Sequence, residues 1–180
     1  MSRVWILRHG ETEWSRTGRH TGRTDVPLTA AGEAQARSLA PRLSRPWARV
    51  LASPLQRAWR TAQLAGLQPT ADEDLLEWDY GPAEGRTTAE LSVERRWRVW
   101  DATDLGESLD QVAARARRVL HRLPTDGDTL LVGHGHLLRV LAAVYLELQP
   151  GQARHLKLDA GRIGVLGHEH DWPALEGWNA

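Results

Sequence analysis

Two histidines in this chain sit among glycines, in Arg8-His9-Gly10 and Gly133-His134-Gly135, and each follows a run of apolar residues. An imidazole placed where a buried strand ends can serve as nucleophile, base or metal ligand. Arg8 adds a fixed cation whose planar fork suits phosphate or carboxylate. Arg57 lies one turn inside a helix that follows another short apolar run. Arg8, His9, Arg57 and His134 together have the profile of a pocket for a dianionic phosphoryl group. Arginines would hold the non-bridging oxygens and the second imidazole would stabilise the transition state. His9 is then the nucleophile, forming a phosphohistidine that water hydrolyses, and the neighbouring cations keep it neutral. The leaving oxygen needs a proton, and Glu77, between Leu76 and Trp78, is the best-placed carboxyl to supply it.

Only a sheet can gather residues so far apart in the chain. Residues 4–7 and 129–132 read as short buried strands, and a parallel sheet can bring their ends together. Residues 13–26 are polar, with Gly18 and Gly22, and read as a loop. Thr29 is an N-cap for a helix that Pro46 ends. Residues 48–52 form another strand, with Ser53 as N-cap and Pro54 opening a helix that closes at Gly66. Residues 68–74 read as a weak strand and acidic turn, and 87–100 as a helix. Ser108 and Gln111 form a capping box for a long helix. Residues 137–148 make an apolar helix broken by Pro150-Gly151, and 155–158 with 163–168 can pair as a hairpin around Ala160-Gly161. This alternation is that of an α/β sheet in one domain over residues 1–180.

Composition narrows the partners. The 180 residues suffice for a sizeable core, and 23 basic residues balance 23 acidic ones, so charge argues for neither nucleic acid nor an anionic membrane. The absence of cysteine removes disulfides, thiolate zinc sites and cysteine nucleophiles. No leader-like or membrane-spanning run stands out, so a cytoplasmic protein is expected. Nine tryptophans and no phenylalanine make Trp5, Trp47, Trp59, Trp78, Trp97 and Trp100 the expected aromatic packing.

Taken in order, Arg8-His9-Gly10-Glu11-Thr12, Gly22, Leu28-Thr29, Ser53-Pro54-Leu55-Gln56-Arg57, Glu77, Tyr80-Gly81, Glu84-Gly85 and Gly133-His134-Gly135 resemble the histidine phosphatase (phosphoglycerate mutase-like) superfamily. The resemblance spans essentially the whole chain. It implies a three-layer α/β/α sandwich with a mainly parallel central sheet. It also implies His9 as phosphorylated nucleophile, Glu77 as proton donor, and Arg8, Arg57 and His134 as the phosphate pocket, with no cofactor and no metal. Thr21 and Gly22 are expected to give hydroxyl and backbone donors to the phosphoryl oxygens. Ser15 stands where many members have Asn, which puts its phosphate contact in question. The segments 14–22, 77–81 and 158–165 are similar to a branch of small acid phosphatases and sugar-bisphosphate phosphatases. In that branch His20, Ser53, Tyr80 and Arg139 would face the organic part of the substrate.

The leading expectation is a metal-independent phosphomonoesterase for small phosphorylated metabolites, sugar phosphates among them. A cofactor-dependent phosphoglycerate mutase shares the chemistry. The short region after Glu77 favours hydrolysis, whereas Arg95, Arg96 and Arg98 keep the mutase open. The pairs His134-x-His136 and His168-x-His170 have metal-ligand spacing and leave a metal-dependent phosphoesterase as a further alternative. Residue His136 itself reads as a helix-start position.

Overall fold

The computed structural model describes residues 2–93 and 96–180. The opening apolar run forms β1 (Val4–Arg8), followed by α1 (Glu13–Arg16), α2 (Ala30–Ser38) and α3 (Ala40–Leu43). Next come β2 (Arg49–Ala52), α4 (Gln56–Leu64), β3 (Thr70–Ala71), α5 (Thr88–Leu91) and α6 (Leu109–His121). The chain ends with β4 (Thr129–Gly133), α7 (Gly135–Tyr145), β5 (Ile163–Glu169) and β6 (Trp172–Gly177). One sheet holds all six strands in the order β3-β2-β4-β1-β5-β6. The first four in that order are mutually parallel, while β5 runs antiparallel to β1 and β6 antiparallel to β5.

Alternation along the strands builds the layers. Ile6, Leu51, Leu131 and Leu166 enter a core with Val112, Ala116 and Val119 of α6 and Leu138 and Leu141 of α7. Their strand neighbours Leu7, Ala52, Leu130 and Ile163 enter the opposite core, with Ala58 and Ala62 of α4, Leu39 and Leu43. Two apolar faces, each covered by helices, give the α/β/α arrangement. Each fully buried leucine contributes roughly 1.5–3 kcal/mol of burial.

Several elements differ from the sequence reading, for local reasons. Residues 13–26 are not all loop: Thr12 and Ser15 form a reciprocal capping box that starts α1. Thr29 does cap α2, accepting the Gly32 N–H at 3.0 Å. The helix breaks at Leu39, well before Pro46, because Pro41 has no N–H to continue the ladder; α3 restarts with that proline in its first turn. Among the described residues, 87–100 hold the single-turn α5, started by a Thr87–Glu90 capping box, and a 3₁₀ turn at Val99–Asp101; Arg95 lies outside the described residues. The apolar helix α7 ends at Tyr145, before the left-handed Glu147. The terminal hairpin is β5 with β6, turning through the left-handed His170, whereas 155–158 is no strand. The free edge of β1 takes residues 163–166 as its partner, so the hairpin continues beyond them instead of before.

Candidate active site

β1 and β4 lie side by side in parallel register, with Arg8 opposite Gly133, so the next residue of each chain segment is a histidine. The His9 N–H donates to the Gly133 carbonyl at 2.9 Å, and the centroids of the His9 and His134 rings are 5.3 Å apart. Gly10 is required by contact, not by a left-handed turn. A Cβ there would lie 2.5 Å from the Gly32 carbonyl in the first turn of α2.

Hydrogen-bond partners assign the tautomers. His9 Nδ1 lies 2.7 Å from the Gly10 carbonyl, which can only accept, so Nδ1 carries the proton and Nε2 keeps a free lone pair. Burial, then the charges of Arg57 and Arg8, hold His9 well below the usual 6.5. The expected cationic influence is present, but burial is the larger cause. His134 is also held far down by burial, then by Arg57. Its Nδ1 accepts from Arg57 Nε at 3.1 Å, which leaves the proton on Nε2, facing Ser53 Oγ at 2.7 Å.

Arg57 is fully buried and spends its fork on the protein: besides His134, it donates to the carbonyls of Thr24, Thr21 and Gly22 at 2.9, 3.2 and 2.8 Å. Arg8 is different. Its Nη1 donates to the Leu158 carbonyl at 2.7 Å, while its Nε is buried with no partner among the described residues. Glu77 sits against the start of α7. Its Oε1 accepts from Trp78 N and Leu137 N, both at 2.9 Å, and its Oε2 from His136 N at 3.0 Å. The apolar surroundings anticipated from Leu76 and Trp78 are therefore replaced by three amide donors at this carboxyl.

A cavity of about 90 Å³ opens on this group, lined by Arg8, His9 and Glu77. Ser15, His20, Thr21, Tyr80 and Arg139 also line it. Ser15 nevertheless spends its hydroxyl on Thr12, donating to that carbonyl at 3.0 Å. Thr21 Oγ1 donates to the Arg19 carbonyl at 3.2 Å. Arg57 and His134 form a buried layer behind His9, outside the cavity lining. Two expectations need correction. The Gly22 N–H is not offered to the cavity but donates to Glu84 Oε1 at 2.9 Å. Ser53 does not face the organic part of a substrate and does not cap α4. Leu55, with extended backbone, is the N-cap, and Asp25 receives the Gln56 N–H at 2.8 Å.

Residues 4–180 match the profile of the histidine phosphatase superfamily (branch 1). The chain belongs to that superfamily. An acid phosphatase of Mycobacterium tuberculosis is 38% identical over 177 residues, covering 93% of this chain and 87% of the relative. The sedoheptulose 1,7-bisphosphatase of Saccharomyces cerevisiae is 32% identical over 247 residues, covering 97% and 91%. The solved structure of the open reading frame Rv3214 from M. tuberculosis superposes with a TM-score of 0.92 at 36% identity, covering 99% of this chain and 97% of that one. This histidine phosphatase is thus a phosphatase enzyme with the expected α/β fold.

Arg19, within the 16–20 stretch that the sequence places at the pocket mouth, lines the cavity, and so does His136, which reads only as a helix start. Sequence reasoning missed other residues around the site. Thr61 accepts the Gly10 N–H at 3.0 Å and donates to the Arg57 carbonyl at 2.6 Å, tying the two ends of the site together. Arg115, paired with Glu107 at 2.7 Å, donates to the carbonyls of Asp74 and Leu76 and so fixes the segment leading to Glu77. No local pattern marks these; Arg115 reads as one more cation on a helix. Among the described residues no group of three or more His, Asp and Glu is disposed to hold a metal ion, and no helix is long and apolar enough to cross a membrane.

Proposed function

We propose that this enzyme is a metal-independent phosphomonoesterase that hydrolyses small phosphorylated metabolites through a phosphohistidine at His9 Nε2. The observation that carries this is the His9 tautomer. Nδ1–H is committed to the Gly10 carbonyl, and the free Nε2 belongs to a ring lining the same cavity as Arg8 and Glu77. The Arg8 guanidinium lines the same cavity and supplies a fixed cation for a phosphoryl oxygen. In the first step Nε2 attacks phosphorus, the P–O ester bond breaks, and the leaving oxygen takes a proton from Glu77. Oε1 already accepts two amide N–H groups, so Oε2, with one, is the oxygen that has room for that proton. In the second step Glu77 accepts a proton from water, the hydroxide oxygen bonds phosphorus, and the P–N bond breaks to release phosphate and neutral His9. Arg57 and His134 act from behind, as fixed charge and as an ordered neutral ring.

The relatives support small substrates. Besides the two above, an Entamoeba histolytica phosphoserine phosphatase variant solved with phosphoserine superposes with a TM-score of 0.86 at 27% identity, covering 100% of this chain and 98% of that one. A probable phosphoglycerate mutase GpmB of Photorhabdus laumondii, 34% identical over 99% of this chain and 90% of its own length, favours the mutase as second reading. Acid-quenched turnover of radiolabelled substrate tests the proposal. We expect an acid-labile phosphoprotein in the wild type, none in His9→Ala, and phosphate release far exceeding phosphoglycerate isomerisation. Label on another residue would overturn the mechanism; isomerisation with little free phosphate would select the mutase.

A further inference from the structure

Beyond the nucleophile the site is walled by rings. His136, the second residue of α7, meets Trp100, Tyr80 and Trp78 edge-on, with centroids 5.0, 5.7 and 6.2 Å away. His20 lies 5.2 Å from Tyr80 and 6.4 Å from His136. His20, Tyr80 and His136 line the cavity beside Glu77. The backbone of His136 has a task, the amide bond to Glu77. Its ring has another. Among the described residues the only hydrogen-bond partner of the imidazole is the Tyr80 hydroxyl, 2.5 Å from Nδ1.

A phenol is the stronger donor of the two groups and a neutral imidazole the stronger acceptor. Burial keeps both neutral: it pushes Tyr80 well above 10.0, with Glu77 adding to the effect, and His136 well below 6.5, with Arg139, His20 and Arg8 adding to it. Tyr80 O–H therefore donates to Nδ1, and the ring proton of His136 stands on Nε2. That N–H has no acceptor among the described residues, in a ring that forms part of the cavity wall. A polar donor held in one tautomer by a buried phenol, and left without a protein partner, is arranged to read a ligand.

We propose that His136 Nε2–H determines specificity by donating to a hydroxyl oxygen on the carbon skeleton of a small phosphorylated polyol, and that Tyr80 is the positioning residue that fixes its tautomer. The proposal rests on the phosphohistidine reading and adds the substrate class.

The test compares kcat/KM for glycerol 1-phosphate and propyl phosphate, two alkyl monoesters of equal chain length that differ in their hydroxyls. The wild type should prefer the glycerol ester. Tyr80→Phe and His136→Asn, which keeps an acceptor near Nδ1 but loses the donor, should each lower that preference about tenfold. His136→Gln, which can place an N–H near Nε2, should hold it within about threefold. The double variant Tyr80→Phe, His136→Asn should lose no more than His136→Asn alone, since one bond is broken either way. Equal losses on both esters, additive losses in the double variant, or no wild-type preference would overturn the proposal. Tyr80→Phe leaves the imidazole in place and decides the matter should His136→Asn fail to fold. His9→Ala distinguishes the two claims: its continued turnover would sink the nucleophile reading, while the ester preference would still judge His136.

Discussion

His9 and His134 look interchangeable in the sequence, each beside glycine at the end of an apolar strand, and β1 and β4 deliver them to neighbouring points. Their partners make them different. His9 gives its one proton to a carbonyl and keeps a bare Nε2 on the cavity side of the pair. His134 has both nitrogens engaged, one by the Arg57 cation and one by Ser53. A cation as hydrogen-bond donor also bars His134 Nδ1 from taking a proton or a metal. The lesson is that strand position brings an imidazole to a site, whereas the groups at its two nitrogens assign its work.

The sharpest way to break the comparison is to remove each ring in turn. Replacing His9 by Gln should lower kcat by on the order of 10⁴ or more, as expected of a covalent nucleophile, with little change in the urea midpoint of unfolding. His134→Ala should fall between the extremes, with kcat down roughly 10²-fold, and should also destabilise the fold by about 1–3 kcal/mol because the Arg57 Nε–H is left buried and unpaired. Kinetics and urea unfolding on the same two variants make the check. Equal kinetic losses, with stability untouched in both, would erase the distinction.

The comparison also marks how far the sequence could be read. Local grammar was legible: the apolar runs of β1 and β4, the Thr29 cap and the Ser108–Gln111 box all stand where their residues point. The ordered motifs name Arg8, His9, Arg57, Glu77 and His134, and the fold brings Arg8, His9 and Glu77 to one cavity while Arg57 and His134 lie outside its lining. What stayed hidden was long-range pairing. Ser53 looks like a helix cap from its neighbours alone, and only the fold shows that His134, 81 residues away, claims its hydroxyl. Arg57 looks like a free cation until the 21–24 segment folds over its fork. His136 looks like a helix start until Tyr80, 56 residues earlier, reaches its ring.

Acid sets the two roles of burial against each other. The folded chain keeps His9, His134 and His136 neutral well below 6.5. The unfolded chain protonates them near that value, so it binds more protons and acid favours it. Stability should be flat above about pH 6.5 and should fall below it, by up to about 1.4 kcal/mol per pH unit for each histidine. His9 is held down by burial, so the fall of kcat/KM in that range should follow the second ionisation of the phosphoryl group, at about 6, and loss of the fold, with no added step from His9 near 6.5. Urea unfolding from pH 8 to pH 4, beside a pH–rate profile, reads both. In His9→Gln the stability slope should lose one histidine's share; an unchanged slope would show that His9 is not among the groups responsible.

Ser53→Ala should produce the smallest effect and tests the finest part of the comparison. The hydroxyl accepts from His134 Nε2 at 2.7 Å, in full burial. Removing it leaves the imidazole N–H without its acceptor, a cost of about 1–3 kcal/mol in stability. It does not touch His9 or the Arg57 bond to Nδ1, so the tautomer of His134 has no reason to change. Turnover should therefore drop only a fewfold, about one kcal/mol or less in the barrier. Ser53→Thr, which restores the hydroxyl, should recover stability in so far as its extra methyl fits beside His134. A loss in kcat as large as that of His134→Ala would mean that the orientation of the rear ring governs the chemistry as strictly as its presence, and the division of labour between the two histidines would have to be redrawn.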